Sequence, residues 1–292
     1  MATIACVVEA QDALGESCIW CPVTRRVWWL DILAPRLQSF DPTTGEHRVY
    51  TLPGRNCGNA SLRKAGGFIL AMDNGLHSFD PDTGETKLLV HPEPDRPENR
   101  YNDGRCDRLG RLWIGTMMAA EERHATGSLY RVCPNLSARR EFDAITVPNS
   151  IAFSPDDRTF YFSDTPKHMI WAFDFDLAAG EISNRRVFAD LSARSGLPDG
   201  SCIDADGFLW NAEYAGHRVT RYAPDGRVDR SVEVPVTSPT CCCFGGDNLD
   251  TLYVTSASAN LSPQQRAAEP CAGGLLAIDT GVRGLPEHAF GG

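Results

Sequence analysis

The sequence has no apolar run of roughly 18 residues, so nothing in it reads as a membrane-spanning helix. Its first residues, MATIACVVEAQDALGES, lack the basic start of a secretory leader, and their apolar stretch reads as a strand. Basic charge is also scarce. With 28 Lys and Arg against 38 Asp and Glu, the formal charge is −10, which argues against the phosphate-binding face a nucleic-acid partner needs. No H-E-x-x-H pairing, G-x-S-x-G elbow or phosphate-cradling glycine loop occurs, so zincin-type and serine-hydrolase chemistry are disfavoured. The eleven cysteines are odd in number, and three are consecutive (Cys241, Cys242, Cys243). Cys18 and Cys21 form a lone C-x-x-C with no second pair at zinc spacing. The expectation is free, mostly buried thiols in a reducing, cytoplasmic setting, with no membrane or nucleic-acid partner. Oligomeric state leaves no mark in the sequence.

What the sequence does contain is a repeat. Six strand-like runs, RRVWWLD, GGFILAMD, GRLWIGT, RTFYFSD, GFLWNAE and DTLYVTS, recur along the chain. Anchored on Trp28, Ile69, Trp113, Tyr161, Trp210 and Tyr253, they are spaced 41, 44, 48, 49 and 43 residues apart. A repeat of this length built from short strands predicts an all-β, six-bladed β-propeller with four-stranded antiparallel blades around a central channel. The repeat spans residues 1–292 without a linker, so one domain is expected. After each anchor comes a second β-rich piece, and turns such as DPTTGE, DPDTGE and APDGR favour hairpins. Pairing of the N-terminal segment near IACVVEA with the C-terminal LLAID in one blade would close the ring and remove its edges. Residues 116–127 and 255–273 read as long insertions in the third and sixth blades, placed to shape a binding mouth or to run over the surface.

Moving 11 or 12 residues upstream of each anchor reaches the expected innermost strand. There stand Glu16, Cys57, Asn102, Asn149, Asp199 and Cys241. Taken singly, Asn and Asp at strand starts are turn caps. Four oxygen-bearing side chains in register argue instead for a shared site at one mouth of the channel. Facing carboxylates and amides in an enclosed channel repel or go unsatisfied, and a divalent cation relieves both problems. All-oxygen donors favour a hard ion such as calcium, magnesium or manganese, with zinc and iron left open. Cys57 and Cys241 lack a basic neighbour in the sequence and read as small apolar lining.

The segments LGESCIW, RYNDGRCDRLGRLWIGTM, PNSIAFSPD and LPDGSCIDADGFLWNAEY, followed by HRVTRYAPDG, stand in this order along the chain. Together they resemble the senescence-marker-protein/regucalcin/gluconolactonase family of six-bladed propellers. That resemblance implies one divalent metal held by Glu16, Asn149 and Asp199, with Arg100 and Asn102 binding substrate. The family's acidic residue after G-T-M has two candidates here, Glu121 and Glu122. The implied activity is hydrolysis of a sugar lactone (an aldonolactone) to its aldonic acid in carbohydrate catabolism, with Asp199 as the catalytic base and Glu16 second in line. Asp103 reads as a turn-ordering residue. Arg123 and His124 read as solvated loop charges; folded over the mouth, they would meet an anionic substituent on the lactone. Two other readings fit the same fold: a propeller arylesterase or organophosphate hydrolase, which would want a more apolar mouth, and a non-catalytic metal-binding propeller.

Overall fold

The computed structural model describes residues 3–292 and contains six four-stranded antiparallel sheets. The first begins at the strand Gly15–Cys21 and continues through Arg26–Asp31, Arg36–Phe40 and His47–Thr51. Blades two to five repeat this order, starting from Cys57–Leu62, Asn99–Cys106, Pro148–Phe153 and Leu197–Ile203. The sixth blade takes Pro239–Gly245, Thr251–Ser256 and Leu275–Asp279 from the C-terminal part and Thr3–Val8 from the N-terminal part. Thr3 lies opposite Asp279 in that last antiparallel pairing, so the ring closes as expected and its ends share one sheet. The six first strands pack against one another in ring order and line the channel.

Burial explains the spacing of the repeat. The anchor of each second strand is wedged between its own blade and a neighbour. Trp113 and Trp210 are fully buried; Trp113 meets Phe160 of blade four at 5.1 Å, and Trp210 meets Phe244 of blade six edge-on at 6.0 Å. Such aromatic contacts add about 0.5–1.5 kcal/mol each beyond the area they bury. The indole N–H groups need partners in this dry layer, and two blades supply them in the same way. Trp113 Nε1 donates to Asp107 and Trp210 Nε1 to Asp204, each at 2.9 Å. Arg111 and Arg221 complete these fully buried clusters with Nε donors at 2.6 and 2.7 Å.

The insertions are shorter than the sequence suggests. Strand pairing continues through Met118 opposite Asn99 and through Ser256 opposite Pro239. In the sixth blade the connection contains a short helix, Pro263–Ala268, opened by a Ser262 capping box. Beyond the last strand, the chain crosses the far side of the ring. Phe290 is fully buried, its N–H donates to Leu62 and its carbonyl accepts from Lys64. Glu287 pairs with Arg105, which also donates to the carbonyls of Ile151 and Ser201 inside the channel. A cavity of about 20 Å³ between this tail and the inner strands is lined by Asn59, Asp103, Arg105 and Cys241 among others. That space suits about one water.

Candidate active site

All six first strands break register at the same place. The shifts fall between Glu16 and Ile19, Cys57 and Asn59, Tyr101 and Gly104, Asn149 and Ala152, Pro198 and Ser201, and Pro239 and Cys242. A bulge adds one residue to a strand and re-aims its side chains, and here it does so beside the channel mouth. Two bulge residues, Ser17 and Ser150, have φ of 56° and 57°, immediately after Glu16 and Asn149. At the matching position, Gly58 is forced by close approach: a Cβ there would lie 2.1 Å from the Tyr101 carbonyl oxygen of the next blade.

The bulges gather Glu16, Arg100, Asn102, Asn149 and Asp199, all buried. The carboxyl groups of Glu16 and Asp199 face each other within hydrogen-bond reach. Burial first, then the charge of Asp103, pushes Glu16 up to about 8; burial, then Glu16 and Asp103, pushes Asp199 well above the ordinary carboxylate range. The amides form a directed chain. Arg100 donates to Asn102 Oδ1 at 2.8 Å, and Asn102 Nδ2 donates to Asn149 Oδ1 at 3.0 Å and to the Pro148 carbonyl at 2.9 Å. Asn149 Nδ2 donates to Thr165 Oγ1 at 2.7 Å, and that hydroxyl in turn donates to the Pro198 carbonyl at 2.8 Å. Every amide orientation is thereby set, leaving one lone pair of Asn149 Oδ1 unclaimed by Asn102.

Asp199 is anchored through its backbone, whose carbonyl accepts from Ser150 Oγ at 2.7 Å and Asn211 Nδ2 at 2.8 Å. Glu16 is held by its Oε2 accepting from the Ser17 N–H at 3.0 Å. Arg100 is depressed to about 10, mainly by burial and secondarily by Arg123. Asp103 stands beneath the pair in the channel and accepts from the Ile151 N–H at 2.8 Å, so it ties blade three to blade four. Cys57 and Cys241 complete the ring as buried thiols, and burial holds that of Cys57 up at about 12. All eleven cysteines are free, eight of them buried. Cys18 of the C-x-x-C lies 3.0 Å from Cys243 across the closure of the ring.

Glu121 and Glu122 lie apart from this group. Both are exposed on the loop after Met118, the Glu122 side chain at 88%. His124 is 65% exposed and faces Glu122 at 3.9 Å.

Two buried, mutually repelling carboxylates beside an oriented amide oxygen form an all-oxygen donor set of the kind hard divalent ions take. Among the described residues no three His, Cys, Asp or Glu side chains cluster at metal spacing, and the amide oxygen of Asn149 is the further oxygen donor beside the two carboxyls. The residues fit such an ion. Among the described residues, no helix is long and apolar enough to cross a membrane.

The fold and this mouth define a six-bladed propeller with a buried, acidic, amide-lined pocket at one end of its channel. Comparison with known proteins shows which family of propellers this is. Residues 14–258 match the model of the SMP-30/Gluconolactonase/LRE-like region, and the chain belongs to that family. It is 36% identical to a 6-deoxy-6-sulfogluconolactonase of Pseudomonas putida over 99% of both chains. It is 35% identical to regucalcin of Xenopus laevis, over 99% of this chain and 98% of that one. The crystal structure of a calcium-binding regucalcin from Agrobacterium tumefaciens superposes with a TM-score of 0.92 at 34% identity, covering 97% of this chain and 96% of the other.

Thr165, Ser150 and Asn211 were not among the residues singled out from the sequence. Thr165 sits in a single 3-10 turn, Thr165–Lys167, after the second strand of blade four. The paired serines of G-E-S and P-N-S, each one residue after a site residue, were the available signal for the bulges.

Proposed function

We propose that this protein hydrolyses an aldonolactone to its aldonic acid, using one divalent metal ion held by Glu16, Asn149 and Asp199, within cytoplasmic carbohydrate catabolism. The enzyme is a hydrolase of cyclic carboxylic esters, as its family and its gluconolactonase relatives indicate. The observation that carries the finer reading is the facing of the Glu16 and Asp199 carboxyls beside Asn149 and Asn102 in a buried mouth. When bound, the ion supplies Lewis-acid polarisation of the lactone carbonyl and compensates the two carboxylates.

The chain's own groups do the rest. Arg100 presents its remaining guanidinium donors, and Asn102 the second lone pair of its Oδ1, to the ring hydroxyls, and together they fix the lactone's orientation. One of Glu121 and Glu122 is assigned to the outer rim, where it accepts from a hydroxyl of an entering sugar. Asp199 accepts the proton of the attacking water as its oxygen bonds to the carbonyl carbon, a contribution typically worth about 10²–10⁴ in rate. The ring C–O bond then breaks, and the leaving ring oxygen takes that proton to become the hydroxyl of the open acid. Glu16 shares the carboxylate wall and holds its place through the Ser17 N–H.

The test is acid release from a panel of aldonolactones, followed with and without chelator and in Asp199→Ala. Turnover lost under both treatments supports the proposal. Turnover of aryl or phosphate esters with none of lactones would replace it with an esterase reading.

A further inference from the structure

The run Cys241–Cys243 places a sulfur at each side seam of blade six, the blade that joins the two ends of the chain. Successive residues of a strand point to opposite faces, so neighbours in the run serve opposite seams. Cys242 meets Cys202 of blade five with 3.6 Å between sulfurs, and Cys243 meets Cys18 of blade one at 3.0 Å. All four thiols are buried and free. A covalent S–S bond is about 2 Å long, so the closer pair needs a movement of only about 1 Å to form one.

The two seams differ in what can reach them. Cys18 stands in the wall of the cavity of about 20 Å³ at the far end of the channel, together with Arg105 and Cys241, whereas Cys202 and Cys242 are not among its lining residues. A space that holds a water admits a reagent as small as hydrogen peroxide. Of the facing pair, Cys18 ionises first. Burial pushes it up to about 11, and the hydrogen bond with Cys243 works against that rise, while burial and the same bond both hold Cys243 up. The seam itself is closed without covalent bonds. Thr3–Val8 pairs with Leu275–Asp279 in the outer part of blade six, and the Thr240 hydroxyl donates to the Gly15 carbonyl across the inner strands.

We infer that Cys18 and Cys243 form an oxidation site for hydrogen peroxide, which converts them to a disulfide that staples blade one to blade six. The Cys18 thiolate attacks one peroxide oxygen, the O–O bond breaks, and the departing hydroxide takes up the thiol proton as water. Cys18 is then a sulfenic acid. The Cys243 sulfur attacks the Cys18 sulfur, the S–O bond breaks, and the hydroxyl leaves with the Cys243 proton as a second water. Two thiols lose two electrons and peroxide gains them. The bond joins positions 225 residues apart, so it removes much of the freedom the unfolded chain gains when the ring opens. Glu16 lies two residues before Cys18 on the stapled strand.

The experiment treats the reduced, folded full chain with hydrogen peroxide, blocks remaining thiols with N-ethylmaleimide in urea, and maps the non-reduced digest by mass spectrometry. The expected product is a cross-linked peptide pair carrying Cys18 and Cys243, with Cys202 and Cys242 still alkylated. The oxidised protein should melt about 3–9 °C higher than the reduced one. Dithiothreitol should reverse that rise, and it should be absent from Cys18→Ala and Cys243→Ala. Should either substitution prevent folding, the cross-link in the wild-type chain decides. Alkylated Cys18 and Cys243 after peroxide treatment, over-oxidation of either without a cross-link, or a rise in melting temperature that survives in Cys18→Ala overturns the inference.

Discussion

Thr165→Val gives the sharpest view of how the scaffold sets the site. The substitution is nearly isosteric and removes a single hydroxyl, which accepts from Asn149 Nδ2 at 2.7 Å and donates to the Pro198 carbonyl at 2.8 Å. Thr165 and Asn149 are both buried, so water does not replace the lost oxygen. Stranding a buried amide donor costs about 1–3 kcal/mol. For a chain of this size that predicts a fall in Tm of about 3–10 °C. The functional effect comes from the amide's freedom to turn. With Thr165 present, Asn149 Oδ1 is held towards Asn102 and the pocket; without it, an orientational preference of about 1–2 kcal/mol disappears, equivalent to a factor of about 5–30. Groups that orient a metal ligand typically change metal affinity or activity by about 10–100-fold when removed. The assay is divalent-ion affinity by competition with a chromophoric chelator, alongside kcat/KM on an aldonolactone. Thr165→Ser should retain both. A folded Thr165→Val with wild-type metal affinity and turnover would refute the claim that Asn149 is positioned through this hydroxyl.

Four further substitutions have outcomes that follow from the same structure. Asp204→Ala strips acceptors from Trp210 Nε1, Arg221 Nε and the N–H groups of Asp206 and Phe208, and should cost about 3–5 kcal/mol by scanning calorimetry. Asp107→Ala, its counterpart in blade three, should cost a similar amount, while lactone turnover per folded molecule stays near wild type in both. Glu287→Ala leaves Arg105 without its anionic partner at the far end of the channel; about 1.5–3 kcal/mol should be lost in urea unfolding, and an unchanged midpoint would show that the tail does not secure Arg105. Gly58→Ala puts a methyl 2.1 Å from the Tyr101 carbonyl oxygen and should reduce soluble, folded protein at 37 °C, read by expression and circular dichroism.

The blades were legible because their signal is local: bulky runs recur at a fixed period, and the period alone implies a ring. The step of 11 or 12 residues upstream from Trp113 or Trp210 works because one hairpin separates the two positions in every blade. The pocket's finer geometry was hidden for a different reason. A bulge is an event between two strands, and its only trace in Glu16–Ser17 or Asn149–Ser150 is a small residue after the functional one. Thr165 acts across a blade boundary on Asn149 and Pro198, contacts no periodicity encodes. The tail was unread because it follows no repeat; Phe290 and Glu287 matter through long-range contacts with Leu62 and Arg105. The insertions were read as starting at 116 and 255, earlier than they do, because Met117, Met118 and Ser256 lack the β-branched signature and pair by virtue of their neighbours.

The central claim is that Glu16, Asn149 and Asp199 hold one ion that makes lactone opening possible. Its most direct test is to strip the protein with chelator, titrate back calcium, magnesium, manganese or zinc, and follow acid release from δ-gluconolactone together with bound metal. The account predicts turnover that rises with occupancy, saturates at about one ion per chain and is absent in Asp199→Ala. Full turnover in the stripped protein, or stoichiometric metal binding that survives Asp199→Ala, would contradict it.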